Sequence, residues 1–273
     1  MDYTLEGNAF FAAAYGVLLP PQIYLGVKYK TWGFLFGMFA GLLLEILAYV
    51  GRVQLHNGEP QFLMYIVTIT IGPAFLSAAV YLCLARIIKV YGEHLSYFRP
   101  RTIAIVFMVL DFVALMLQSA GGATIGGDNL TPAEFDRALS ILQAGLSVHL
   151  AGIILFAGQC SYFAFTVYSN QHRWNEAFRS LQCLAMATLC ILIRTAYRVA
   201  ELSEGLDSAI AMDETLFFIL EGVMILLASI LLTAFHPGPA FQKRWAEANF
   251  ELKARRKKDH TELESNPSPV ASG

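Results

Sequence analysis

Seven long apolar segments follow one another along the chain and are separated by shorter polar stretches. A helix of about twenty apolar residues matches the hydrocarbon core of a bilayer, which is roughly 30 Å thick. The pattern therefore predicts an all-α, polytopic membrane protein built as a bundle of seven transmembrane helices. The predicted spans are Ala9–Val27, Trp32–Val53, Phe62–Ile88, Thr102–Ala120, Val148–Tyr168, Leu181–Ala200 and Leu216–Phe235.

Polar side chains recur at helical spacing in and around these apolar segments. Many of them lie seven residues apart, which is two helical turns, so the members of each pair share one face of a helix. Ionisable groups inside a bilayer face the bundle interior, a partner or water. We therefore predict that these side chains line the interior and form the working site. The candidates are Glu45, Tyr49, Arg52, Asp111, Gln118, Arg194, Tyr197, Arg198, Glu201, Glu214 and Glu221.

Lysine and arginine residues are concentrated in alternate connecting segments. They follow the first, third, fifth and seventh spans, whereas the other loops contain Arg137 alone and are otherwise acidic. Basic residues in short loops stay cytoplasmic, so the amino terminus is predicted to lie outside and the carboxyl terminus in the cytosol. Residues 1–239 then form the seven-helix domain. Residues 240–273 are highly charged and then rich in Ser and Pro, which predicts a disordered cytosolic tail.

The composition narrows the class of protein further. Hydrophobic residues make up 56 % of the chain and charged residues 15 %, fewer charges than a typical soluble domain carries. The net charge of −2 provides no basic field for nucleic acid, so no nucleic-acid partner is expected. All four cysteines fall in apolar runs without metal-ligand spacing and are predicted to be free thiols. No cofactor is predicted.

Two local patterns predict smaller features. Gly33, Gly37 and Gly41 recur every four residues in the second span, which would let another helix approach closely. The longest outer loop is predicted to run from Gly121 to Ser147, and it contains a glycosylation acceptor triplet that begins at Asn129. Pro132 follows this triplet directly and counts against its use, so glycosylation of Asn129 stays open.

Several polar motifs stand in a fixed order between Leu18 and Pro237. The second span carries an acid, a tyrosine and an arginine, the fourth an aspartate and a glutamine, and the sixth a run with two arginines. The motifs are Glu45-Ile-Leu-Ala-Tyr49-Val-Gly-Arg52, Gly72-Pro73-Ala-Phe with Tyr81 and Arg86, Asp111 with Gln118-Ser-Ala-Gly121-Gly122, Ile193-Arg194-Thr-Ala-Tyr197-Arg198-Val-Ala-Glu201 with Gly205, Glu214, and His236-Pro237-Gly238.

In these motifs the chain resembles the fungal lipid-translocating exporters, also called the aminocholesterol-resistance or RTA-like family, seven-helix proteins of the plasma membrane and other membranes. Two places depart from the family pattern: Glu221 stands where an Asp is usual, and Gln159 with Tyr162 disturbs a fifth-helix motif around Gly158. The resemblance implies a plasma-membrane protein that moves amphiphiles such as sphingoid long-chain bases, phospholipids or toxic sterol analogues, and that is not an enzyme.

The embedded charges must offset one another. Glu45 and Arg52 lie about 10.5 Å apart along one helix axis, so each needs a partner from another helix. Arg198 and Glu201 are three residues apart and can pair within one helix. Arg52 and Arg194 would then meet acids of other helices. Our hypothesis is an outward-facing charged cavity between helices two, four, six and seven that binds a zwitterionic or amino-bearing headgroup. The alternative is a buried ion-pair network that only fixes helix register.

Rival functions differ in what they require of the sequence. A retinal protein needs a Lys in its last helix, and none occurs between Lys89 and Lys243. An intramembrane zinc lipid hydrolase would have to use His94, His172 and His236, which lack the spacing of a catalytic zinc site. A seven-helix lipid sensor or receptor that confers stress resistance fits the same topology and stays open as the main alternative.

Overall fold

A computed structural model describes residues 4–59, 61–91, 99–125, 131–169, 174–205 and 212–236. The described residues form seven helices and no strand, and each helix is long and apolar enough to cross a membrane. The predicted all-α architecture with seven spans is therefore confirmed. The helices are α1 (Leu5–Lys28), α2 (Trp32–His56), α3 (Phe62–Tyr91), α4 (Pro100–Ile125), α5 (Pro132–Ser169), α6 (Trp174–Glu204) and α7 (Glu214–Ala234).

The helices pack in an order that makes α3 the centre of the bundle. Neighbours in sequence pack side by side from α1 to α6, and α6 packs on α7. The helix α3 also contacts α5 and α6, and most of its apolar stretch is buried. The opposite faces of the outer helices carry large apolar side chains: Phe36, Phe112 and Phe165 are 66 %, 62 % and 69 % exposed. Such faces suit contact with lipid acyl chains.

The glycines of α2 have the packing role that their spacing predicts. A Cβ atom on Gly37 would lie 2.9 Å from the Phe75 carbonyl oxygen, and one on Gly41 would lie 2.7 Å from Leu76 Cγ. Backbone and side chains of α3 thus occupy the space that a larger residue would need. Close approach through small residues is the usual way in which membrane helices associate.

The predicted outer loop from Gly121 to Ser147 is wrong. The helix α4 continues to Ile125 and α5 already begins at Pro132. The start of α5 is a capping box: the Thr131 amide donates to Glu134 Oε2 at 2.9 Å, and Pro132 occupies the first helical position. Since 38 residues make a helix of about 57 Å, α5 exceeds a 30 Å hydrocarbon core and keeps polar residues at its start. Apolar content alone could not detect this polar extension.

Candidate functional site

An ion pair between α6 and α7 lies deep in the bundle. Arg194 Nε donates to Glu221 Oε1 at 2.7 Å, and Arg194 Nη2 bonds the same oxygen. The Nη2 group also contacts the Ile69 carbonyl oxygen of α3. Both side chains are fully enclosed, with no exposed area. Arg194 therefore joins three helices through its Nε and Nη2 groups.

The backbone around Glu221 is not an ordinary α-helix. Residues Phe218–Val223 form a π-helical segment inside α7. Such segments are rare and occur often at functional sites. The Tyr15 hydroxyl of α1 donates to the Gly222 carbonyl oxygen at 2.9 Å. A Cβ atom on Gly222 would lie 2.7 Å from the Tyr49 hydroxyl, so glycine is needed here for α1 and α2 to approach. No pattern in the sequence predicted this segment.

Arg198 continues the charged face of α6 by one turn. Its Nη1 donates to Glu201 Oε2 at 2.6 Å, the pair that their spacing predicts, and its Nε lies 4.0 Å from Glu221 Oε2. Arg198 and Glu201 are 1 % and 7 % exposed at the side chain. Glu221 thus lies between two arginines, and Tyr197 is buried on the same helix with no hydrogen-bond partner for its hydroxyl among the described residues.

Glu45 is the unmatched member of this group. Its side chain is buried on α2, and neither carboxylate oxygen has a hydrogen-bond partner in the described part of the chain. It faces Gly72 of α3, where a Cβ atom would lie 2.9 Å from Glu45 Oε1. Its main electrostatic neighbours are Arg194, Glu221 and Arg198. Hence Glu45 lies near the arginines but is not bonded to them.

A second group of polar contacts lies at one end of the bundle. Arg52 Nη2 lies 3.4 Å from Glu214 Oε1, and its Nε and Nη1 donate to Asn8 Oδ1 at 2.8 Å and to the Tyr65 hydroxyl at 3.1 Å. The guanidinium also stacks over the Phe217 ring, 3.8 Å from the centroid. Asn8 was missed by the sequence analysis, because an amide at the start of a span carries no spacing signal.

The amino-terminal end of α1 closes on the same acid. The Thr4 amide donates to Glu214 Oε1 at 2.8 Å, and the Thr4 hydroxyl contacts Glu214 Oε2. The Asn8 side-chain amide donates to the Thr4 carbonyl oxygen at 2.7 Å. Glu214 keeps 23 % of its side chain exposed, in contrast to the enclosed Glu221. This end group is therefore the more accessible of the two.

The two groups lie at different levels along the bundle axis. The inner tier contains Glu45, Arg194, Arg198 and Glu221, and the end tier contains Asn8, Arg52 and Glu214. Seven residues separate Glu45 from Arg52 on α2, and seven separate Glu214 from Glu221 on α7. At 1.5 Å per residue, the end tier lies about 10 Å from the inner tier. Since Glu45 stands near the middle of α2, the inner tier lies near mid-membrane depth. The tiers belong to α1, α2, α3, α6 and α7.

Asp111 does not join these tiers. Its Oδ1 lies 2.9 Å from His149 Nδ1 of α5, and both side chains are at most 5 % exposed. Gln118, two turns along α4, is buried against Gly145 of α5, where a Cβ atom would lie 2.9 Å from Gln118 Cγ. The structure thus places both predicted residues of α4 at the α4–α5 interface, apart from the arginines of α6.

His149 was overlooked in the sequence analysis, although a signal for it existed. An acid in a span needs a partner, and His149 is the one basic side chain in the fifth predicted span. Among the described residues, no three His, Cys, Asp or Glu side chains gather as a metal site. His94 and His172 lie outside the described residues, as do Asn129 and the tail 240–273.

His236 follows α7 at the opposite end of the bundle from Arg52. The ring lies edge-on to Phe34 at 5.1 Å and tilted to Tyr29 at 6.2 Å between centroids. The residue is 1 % exposed, and burial lowers the pKa of His236 to about 4. His236 is therefore neutral at physiological pH and behaves as a packed aromatic side chain.

Comparison with known proteins gives consistent matches. The family described as RTA1 like protein matches residues 38–244. The sphingoid long-chain base transporter RSB1 of Saccharomyces cerevisiae is 26 % identical over 280 residues, which cover 88 % of this chain and 73 % of RSB1. Protein RTM1 of the same species is 26 % identical and covers 77 % of the chain and 71 % of its own length. Protein RTA1 is 27 % identical and covers 74 % of the chain and 64 % of its own. No solved structure matches.

Proposed function

The chain belongs to the RTA1-like protein family, and from this premise we propose that it moves an amphiphile with a cationic amine, such as a sphingoid long-chain base, across the plasma membrane. RSB1 is named a transporter of that lipid class, and the chain aligns with it over most of both lengths. With the amino terminus outside, as the basic residues predict, the Arg52–Glu214 tier faces outward and the Glu45 tier lies half-way across.

The observation that carries the proposal is the buried Glu45 carboxylate. A buried charge without a hydrogen-bonding partner costs several kcal/mol, so the two Glu45 carboxylate oxygens, which have no such partner among the described residues, favour a cation. An ammonium group has three donors and no acceptor, which suits two carboxylate oxygens that have no partner. The arginines cannot fill this role because Arg194 and Arg198 are already bonded to other acids.

The unused donors near Glu45 fit the rest of an amino-alcohol headgroup. Arg194 Nη1 and Arg198 Nη2 are buried and have no hydrogen-bond partner among the described residues. Hydroxyl oxygens of a sphingoid base accept hydrogen bonds and can take up these donors while the amine meets Glu45. The headgroup is thus bound by one acid and two arginine N–H groups, and the hydrocarbon chain stays among the apolar helix faces.

Movement of a fluorescent sphingoid base across liposomes that contain the purified protein tests the proposal. Wild type should accelerate movement over protein-free liposomes, and Glu45→Gln should lose most of this acceleration, because it removes the charge and keeps the shape. Glu59→Gln is the matched control, since Glu59 is exposed just beyond α2 and should behave as wild type.

Two results would count against the proposal. Equal rates in Glu45→Gln and wild type would show that the buried carboxylate has no part in movement. Tight binding of the base without any movement would favour the sensor alternative. Folding of each variant is checked by its thermal unfolding in one detergent.

A further inference from the structure

A second buried polar centre lies between α4 and α5 and takes no part in the site proposed above. Asp111 Oδ1 and His149 Nδ1 are 2.9 Å apart, and the two residues are 4 % and 2 % exposed. Asp111 Oδ2 and His149 Nε2 are buried with no hydrogen-bond partner in the described residues. The side-chain nitrogen and oxygen of Gln118, two turns away on α4, are also buried with no hydrogen-bond partner in the described residues.

The net charge of the Asp111–His149 pair depends on whether the pair holds a shared proton. His149 is the only charged partner that the described residues give to Asp111. When one proton is shared along the Oδ1···Nδ1 bond, the pair is neutral as a unit, whether the proton is on the ring or on the carboxyl. Loss of that proton leaves one net negative charge in a low-dielectric interior, which is stable only when water reaches the pair.

We propose that Asp111 and His149 form a proton-binding site, separate from the Glu45 site, that binds and releases one proton as the helices move. The proton passes between the pair and water, and no other bond forms or breaks. Its use to drive lipid movement rests on the function proposed above, whereas the binding of the proton does not.

The pair is surrounded by titratable groups and glycines of three helices. The titratable groups that the structure places nearby are the Tyr81 hydroxyl of α3, which lies close to Asp111, and the Cys160 thiol of α5, which lies close to Tyr81. Gly152 lies beside Asp111, and a Cβ atom there would lie 3.7 Å from Oδ1. The helices α4 and α5 meet through glycines at three levels (Gly121, Gly145 and Gly152). Release of the proton therefore requires water to enter between these closely packed helices.

Nuclear magnetic resonance of the full-length protein in lipid nanodiscs, with its histidines labelled with nitrogen-15, tests proton binding directly. His149→Gln assigns the His149 signal among the six histidines. In wild type that signal should change reversibly with pH, and the Asp111→Asn substitution should alter this pH dependence. A His149 signal that is unchanged between pH 4 and pH 9 in both proteins would overturn the proposal.

A liposome assay tests the use of the proton. When one lipid molecule exchanges for one proton, a gradient of one pH unit across the liposome membrane can sustain about a tenfold ratio of lipid concentration between the two sides. Wild type should approach that ratio, whereas Asp111→Asn and His149→Gln should give a ratio near one and still move lipid downhill. Ser147→Ala, an exposed change on α5, is the control.

A wild-type ratio near one would refute coupling and leave lipid movement intact. A complete lack of movement would instead refute the proposed function, while the resonance titration still decides proton binding.

Discussion

Two buried polar centres of this protein balance a buried acidic side chain with different basic partners. At the α6–α7 centre, Arg194 and Arg198 hold Glu221 between them, and arginine does not lose its proton in proteins. At the α4–α5 centre, Asp111 meets His149, whose ring can be charged or neutral. The first centre keeps its charges and the second can change them. Fixed charges suit the binding of a polar headgroup, and a variable charge suits the exchange of a proton.

Removal of the acid from each centre should give the largest difference in the free energy of unfolding between the two centres. Glu221→Gln leaves Arg194 charged and buried, so we expect a loss of about 3–5 kcal/mol in the free energy of unfolding. Adding Glu45→Gln should lower the stability further, because Glu45 is the other carboxylate near Arg194. Equilibrium unfolding in mixed micelles measures both values. A loss below about 1 kcal/mol would mean that water reaches Arg194.

Asp111→Asn, the matched change at the α4–α5 centre, should cost less. His149 can become neutral and bond the new amide, so the expected loss is about 1 kcal/mol in the same assay. If this variant were destabilised as much as Glu221→Gln, His149 would have to be held charged. The distinction between a fixed and a variable centre would then fail.

The two faces of α5 allow a test of how closely α4 and α5 approach. A Cβ atom on Gly121 of α4 would lie 2.7 Å from the Leu142 nitrogen, so Gly121→Ala should force the helices apart and cost about 1–3 kcal/mol. Gly158→Ala on α5 has open space around it and should be neutral or stabilising by up to about 1 kcal/mol. Similar effects of both changes on unfolding would contradict the close approach of α4 and α5 at Gly121.

His236 provides a test through the pH dependence of stability. Its pKa is lowered by burial to about 4, whereas an unfolded histidine titrates near 6.5. Between these values the unfolded chain binds more protons, so stability should fall as the pH drops from about 6.5 towards 4. His236→Gln should reduce this slope relative to wild type. An unchanged slope would show that His236 is not buried as a neutral ring.

The sequence predicted the helices better than their partners. Apolar length located seven spans, and glycine spacing located the face of α2 that another helix approaches, because both depend on one helix at a time. Apolar length failed for the loop from Gly121 to Ser147, because α5 extends through polar residues and begins at a capping box formed by Thr131 and Glu134. A capping box is local and could have been read from the sequence.

The sequence predicted polar side chains inside the bundle but not how they are arranged. Spacing alone gave the Arg198–Glu201 pair, because it lies within one helix. The pairing of Arg194 with Glu221 and of Arg52 with Glu214 depends on which helices are neighbours, which a pattern along one chain does not encode. The same reason explains why Asp111 was included in the predicted cavity and His149 was overlooked. The π-helical segment at Glu221 arises from contacts with α1 and α2.

Binding of a sphingoid base and of its N-acylated analogue to the protein in nanodiscs tests the role of Glu45 most directly. The two ligands differ in the charged amine, so calorimetry near neutral pH compares that one feature. Wild type should bind the amine about tenfold more tightly, a difference of about 1.4 kcal/mol, and Glu45→Gln should lose this preference. Equal binding of both ligands by wild type, or a preference that survives in Glu45→Gln, would contradict the account.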